Sequence, residues 1–204
     1  MPLTSAAALY PYLPGLDSGA DADLTTLITR AESSIADYLG FPPATVGGAA
    51  VINSAAYTLY LDAPMTVNER VLQLPVKPIT AVASVHDDAL WAYGSSELVA
   101  SSQYTIVGEL GQIWLNPDAT HAWSKSFRAI RVILTAGFAG ANPDSALTVA
   151  ILEYAALLYE RRKGGAGRRR ASAGGVSSDF DLPPIPDAVR QLLRPYRMPS
   201  HWLS

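Results

Sequence analysis

Histidines at positions 86, 121 and 201 lie far apart in the chain, and only His86 has carboxylates beside it, at Asp87 and Asp88. One imidazole and two carboxylates are a donor set able to hold a divalent metal. At the end of an alternating run, the same three residues read more simply as a polar turn in which an aspartate bonds its own backbone. The other acid pairs, Glu109 with Asp118 and Asp179 with Asp181, fall in loops and lack a companion that would set their pKa values apart. There is no Walker-type loop, dinucleotide fingerprint, nucleophile elbow or HExxH helix. Gly164-Gly165-Ala166-Gly167 has phosphate-loop composition, but it follows a predicted helix instead of joining a strand to one. Zero cysteines exclude thiolate nucleophiles, disulfides and cysteine-ligated metals. The expectation is a chain that is no enzyme and takes no metal or other cofactor.

Interaction chemistry is better represented. Residues 1–160 carry 15 acids against 6 bases, whereas residues 161–204 carry 3 against 9. An acidic body with a basic end suits an acidic partner, either nucleic acid or a protein surface. Arg161, Arg162, Lys163, Arg168, Arg169 and Arg170 form the basic cluster. Such cations also suit a helix C-terminus on macrodipole grounds alone. In the last eleven residues, Arg194, Tyr196, Arg197, Trp202 and Leu203 supply the Arg and aromatic mixture that anchors protein interfaces, on a segment too short to fold alone.

The elements that must position these groups are legible from periodicity. Leu24, Leu27, Ile28, Ala31, Ile35, Tyr38 and Leu39 follow helical spacing, and Gly40, Pro42 and Pro43 stop the helix. A shorter helix precedes it near residues 3–10. Between residues 56 and 138 the period becomes two. Tyr57, Leu59 and Leu61 alternate with Thr58 and Tyr60; Ile79, Ala81, Ala83 and Val85 share one face; Ile130, Val132, Leu134 and Ala136 share another. Tyr104–Val107 and Gln112–Leu115 flank the short Gly108-Glu109-Leu110-Gly111 link as a hairpin. Five or six such strands predict a small antiparallel sheet. Asn142-Pro143-Asp144 starts a helix that runs to about Lys163 and is apolar on most of its circumference, so protein must cover both its sides. Residues 164–178, rich in Gly and Arg, predict a flexible loop. A last short helix begins at Pro186 and ends before Pro195.

Only 16% of the residues are charged, which leaves a weakly polar surface suited to permanent contacts with other chains. No apolar run approaches the roughly 18 to 20 residues that span a bilayer, and MPLTSAAALYPYLPG lacks a basic leader followed by an apolar stretch, so neither secretion nor membrane insertion is expected.

The segments AESSIADYLG (31–40), LPVKPITAVASV (74–85), YTIVGELGQIWL (104–115), IRVILTAGFAG (130–140), LLYERR (157–162) and LLRPYR (192–197), in that order, resemble the head-to-tail connector, or adaptor, proteins of long-tailed double-stranded DNA phages and gene-transfer agents. The resemblance implies an α+β fold: a helical core of two N-terminal helices, a long central helix and a short C-terminal helix, interrupted by an inserted antiparallel β domain. On this chain the parts would be 1–55 (helical core), 56–140 (β domain), 141–163 (central helix), 164–178 (basic loop) and 179–204 (C-terminal helix and tail). It further implies a structural virion protein at the head–tail interface, assembled in the host cytoplasm as a ring of about twelve copies. Its partners would be the portal protein, reached by Arg194, Tyr196, Arg197, Trp202 and Leu203, and a tail-side connector (stopper) or tail-completion protein. The basic cluster would face packaged DNA or a neighbouring subunit. The long β region and the Arg- and Gly-rich loop depart from the shorter members of that family. The alternative reading is a nucleic-acid-binding module that uses residues 161–170 to displace counterions from phosphates.

Overall fold

The computed structural model describes residues 2–14, 16, 21–45, 47–62, 70–138, 145–163 and 185–198, without the side chains of Ser145 and Lys163. Among the described residues, four α-helices and two three-stranded antiparallel sheets make an α+β fold. The chain divides into two compact units, Met1–Leu39 with Ala139–Arg197, and Gly40–Phe138 with Met198–Ser204. Among the described residues, the first holds every α-helix and the second every strand.

In the helical unit, α1 (Ala6–Leu9) is capped by the Ser5 hydroxyl, which accepts from the Ala8 N–H, and runs on into a 3₁₀ turn at Tyr10–Tyr12. The expected first helix is therefore a single α turn, because Pro11 interrupts the hydrogen-bond ladder. Helix α2 (Asp21–Leu39) buries Leu24, Leu27, Ile28, Ala31, Ile35 and Leu39, the stripe its spacing predicts. Glu32 is also buried, and its carboxylate accepts the Leu3 N–H at 2.6 Å, tying the N-terminal segment to the helix. Helix α3 (Ser145–Lys163) packs on α1, α2 and α4 (Asp187–Leu193). Not one side chain between Ala146 and Tyr159 is exposed. One face of α3, with Leu147, Ala150, Ile151, Tyr154, Ala155 and Leu158, is buried, whereas the face with Ala146, Val149, Glu153 and Ala156 is half-buried. The Asn142-Pro143-Asp144 start signal lies outside the described residues. None of the described helices is long and apolar enough to cross a membrane.

In the sheet unit, β1 (Ala55–Leu61), β6 (Ile130–Ala136) and β3 (Ile79–Asp87) form one sheet in the order β1-β6-β3. The second sheet has the order β2-β5-β4, from β2 (Val71–Gln73), β5 (Gln112–Leu115) and β4 (Tyr104–Val107). The strands thus divide between two sheets where periodicity suggested one, and β2 was not foreseen, since three residues are too few to establish a period. Central strand β6 alternates perfectly, with Ile130, Val132, Leu134 and Ala136 buried. They join Tyr57, Leu72, Leu74, Val76, Val85 and Ile113 in one apolar core.

Strand β3 breaks the expected alternation. Ile79 and Val85 are buried, but Ala81 and Ala83 are exposed. Register shifts at Ile79/Ala81 and at Val82/Ser84 place extra residues in β3, and each one turns the following side chains to the other face. At the end of β6, Gly137 takes φ +107°, and a Cβ there would lie 2.4 Å from the Asn53 carbonyl oxygen. Only glycine fits.

Candidate functional site

The His86-Asp87-Asp88 triplet is split by the fold. His86 and Asp87 are the last two residues of β3, and only Asp88 enters the turn. The Asp88 carboxylate accepts the N–H groups of Leu90 at 2.7 Å, Ala92 at 2.6 Å and Tyr93 at 2.8 Å. These bonds, first those of Leu90 and Tyr93, hold its pKa below the ordinary aspartate value. Asp87 points elsewhere, bonding His121 Nε2 at 3.0 Å and accepting the Ser124 N–H at 2.8 Å. His86 is buried against Arg131, whose Nη2 lies 3.3 Å from its Nε2. Burial, and then the guanidinium charge, lower its pKa. The three side chains therefore have three separate structural tasks. Among the described residues, no group of three or more His, Asp or Glu is placed to hold a metal ion.

What Asp88 organises is of more interest. The loop it braces carries Leu90, Trp91 and Tyr93, and with Tyr60 of β1 and the Phe127-Arg128 turn before β6 it surrounds a cleft of about 290 Å³. Leu90 is 86% exposed, Phe127 67% and Trp91 56%. Large apolar side chains exposed side by side mark an interaction site. The cleft is rigidly built. The Trp91 indole N–H donates to the Phe127 carbonyl at 2.7 Å, and the Tyr93 hydroxyl donates to the Arg128 carbonyl at 2.5 Å. The Tyr60 and Tyr93 rings lie 5.5 Å apart, and the Arg128 guanidinium sits 5.0 Å above the Tyr60 ring. Trp91, Tyr93 and Arg128 all adopt positive φ, at 63°, 50° and 50°. A non-glycine residue there costs of order 1–3 kcal/mol, and such strain clusters at ligand clamps and functional sites.

Sequence reasoning did not select these residues. Tyr60 was legible only as an outward strand position, while Trp91, Tyr93, Phe127 and Arg128 come from two loops about 35 residues apart. A signal was nonetheless present: a run Leu90-Trp91-Ala92-Tyr93 has no business in a solvated turn unless something covers it.

The basic cluster and the Arg and aromatic residues near the C-terminus lie in the helical unit or outside the described residues. Arg161 and Arg162 are exposed in the last turn of α3, and Arg162 pairs with Asp23 at 3.5 Å, a contact between two exposed side chains. Such pairs contribute little stability. Lys163 ends the helix. Arg194 and Tyr196 bound a 3₁₀ turn after α4, and Arg197 follows it with its guanidinium 5.5 Å from the Tyr38 ring. Arg168, Arg169, Arg170, Trp202 and Leu203 lie outside the described residues.

No family model matches this chain, and no curated protein does. Its fold does match chains of solved particles. A chain from the virion of a native gene transfer agent (GTA) particle has 20% identity and a TM-score of 0.57, covering 97% of this chain and 90% of that one. A chain from the neck of an empty GTA particle, computed with C6 symmetry, has 18% identity and a TM-score of 0.60 over the same shares. A chain from the neck of a native GTA particle, computed with C12 symmetry, has 18% identity and a TM-score of 0.56, covering 95% of this chain and 88% of that one. The likeness therefore extends over both units.

Proposed function

We propose that this chain is a structural, non-enzymatic virion protein of a phage-like particle: a head-to-tail connector that forms a ring beneath the portal and joins the DNA-filled head to the tail. The observation that carries the reading is the near-complete fold match to chains of GTA virion and neck particles. The C12 symmetry of one matched neck supports a ring of twelve copies. Portal protein on one side and a stopper or tail-completion protein on the other are the partners this role requires. Arg194, Tyr196 and Arg197, together with Trp202 and Leu203, are the residues we assign to the portal contact. Arg and aromatic side chains are typical interface anchors, a few of which dominate the affinity.

The test is electron microscopy of portal-bearing heads that lack this protein, with and without the purified chain added. A new ring of density at the neck is expected, and heads that stay unchanged would sink the reading. A chain truncated after Met198 keeps every described residue. That truncated chain should melt normally yet fail to attach.

Arg161 and Arg162, exposed at the end of α3, leave room for contact with packaged DNA through the basic cluster, including Lys163, Arg168, Arg169 and Arg170. Such binding would be non-specific and would fall steeply as salt rises. A chain that bound duplex DNA tightly but never joined heads would favour the nucleic-acid module instead.

A further inference from the structure

The cleft at Tyr60, Trp91, Phe127 and Arg128 needs an occupant, and the same unit offers one at its opposite end. Arg128 is the one charged residue that lines the cleft, and the Asp62 carboxylate accepts its backbone N–H at 2.6 Å. Arg128 makes no ion pair among the described residues; its guanidinium rests on the Tyr60 ring. The complementary ligand is an apolar side chain next to a carboxylate. Glu109-Leu110, at the tip of the β4–β5 hairpin, is such a pair: both are exposed, Leu110 by 56%.

Placement separates the two sites within one copy. The hairpin tip lies against the start of β3, since a Cβ on Gly108 would lie 2.4 Å from the Ile79 carbonyl oxygen. The cleft lies at the end of β3, where Asp87 pairs with Ile130 and the Asp88 N–H donates to the Ala129 carbonyl at 2.8 Å. Nine residues of strand, Ile79–Asp87, hold the two ends roughly 26 Å apart. A chain cannot fill its own cleft with its own hairpin.

We propose that the Glu109-Leu110 tip of one copy docks in the Tyr60–Trp91–Phe127–Arg128 cleft of the next, with Leu110 between the aromatic rings and Glu109 on the Arg128 guanidinium. The proposal rests on the ring reading above and names its contact. Two different patches meeting head to tail make a heterologous interface, which closes into a ring when the rotation per subunit allows. Both halves are pre-organised, which lowers the entropy lost on docking. The Gln73 side-chain amide donates to the carbonyls of Leu110 at 3.0 Å and Gly111 at 3.1 Å, and Gly111, at φ +68°, closes the turn. The cleft is braced by Asp88 and by the Trp91 and Tyr93 hydrogen bonds described above.

Because the chain contains no cysteine, Leu110→Cys and Phe127→Cys variants each carry one thiol. Mixed in equal amounts at high protein concentration under oxidised glutathione, they should give a mixed disulfide dimer about tenfold in excess of either homodimer. One chain carrying both changes should give a ladder of multimers. Either charge reversal, Glu109→Arg or Arg128→Glu, should cut the mixed dimer about tenfold, and the two combined should restore it. Random proportions of dimers, or none, overturn the docking proposal. If wild-type protein still builds rings on portal-bearing heads, the connector reading survives that loss; if it does not, both fall. A dominant mixed dimer without rings on heads keeps the contact and removes the connector role.

Discussion

The two units treat apolar surface in opposite ways. In the helical unit the apolar residues are turned inward: α3 has no exposed side chain from Ala146 to Tyr159, and Leu147, Ala150, Ile151 and Ala155 are fully buried. In the sheet unit they are also displayed. Of the nine large apolar side chains exposed among the described residues, eight belong to it and only Tyr12 belongs to the helical unit. Backbone strain follows the same division, because Trp91, Tyr93 and Arg128 all lie in the sheet unit. A unit selected for stability alone would lose both features, since covering the rings and relaxing the backbone each lower the free energy. The difference teaches that the helical unit hides its apolar surface, whereas the sheet unit displays the exposed apolar patch on which the docking proposal rests.

The comparison breaks most sharply if a charge is accepted inside α3. Ala155 is fully buried, and Ala155→Glu should cost about 3 kcal/mol or more by leaving an unpaired charge in an apolar interior. Urea unfolding reads the loss, and a normal midpoint would mean that this side of α3 is not packed. The next effect belongs to the sheet unit's own core. Gly137→Ala should cost about 2 kcal/mol, from the left-handed backbone and the close Asn53 carbonyl, and an unchanged midpoint would contradict the geometry at the end of β6.

Acid should sharpen the contrast further. His86 has a lowered pKa, so the unfolded chain binds its proton first, and the stability this group contributes above its unfolded pKa is lost as pH falls below about 6.5. Asp88 is lowered too. Its contribution is present above the unfolded aspartate value, about 3.9, and is lost as pH falls through the folded value beneath it. Following the urea midpoint from neutral pH downward should therefore show two declines. His86→Gln should flatten the upper one and leave the lower one in place.

The smallest expected effect on stability is at the exposed rings and tips. Leu90→Ser and Leu110→Ser should each change stability by no more than about 0.5 kcal/mol, because water already covers most of both side chains. A loss of several kcal/mol in urea unfolding would mean that these residues hold the fold, and the contrast between hidden and displayed apolar surface would vanish.

Much of this was legible along the chain. The stripe of α2, the alternation of β6 and the Tyr104–Leu115 hairpin could be read because each depends on spacing within a dozen residues and on a turn that the same residues supply. The all-round apolarity of α3 already required a covered helix. Tertiary structure alone decided the rest. It divided the strands between two sheets and placed the bulges that turned Ala81 and Ala83 outward. It also gave His86, Asp87 and Asp88 three different partners. Above all, it assembled the cleft: Tyr60, Trp91 and Phe127 come from segments about 30 residues apart and meet only because β1 and β3 both pair with β6. Local spacing encodes which face a side chain takes, whereas which distant faces meet is a property of long-range strand pairing, and no window along the sequence contains it.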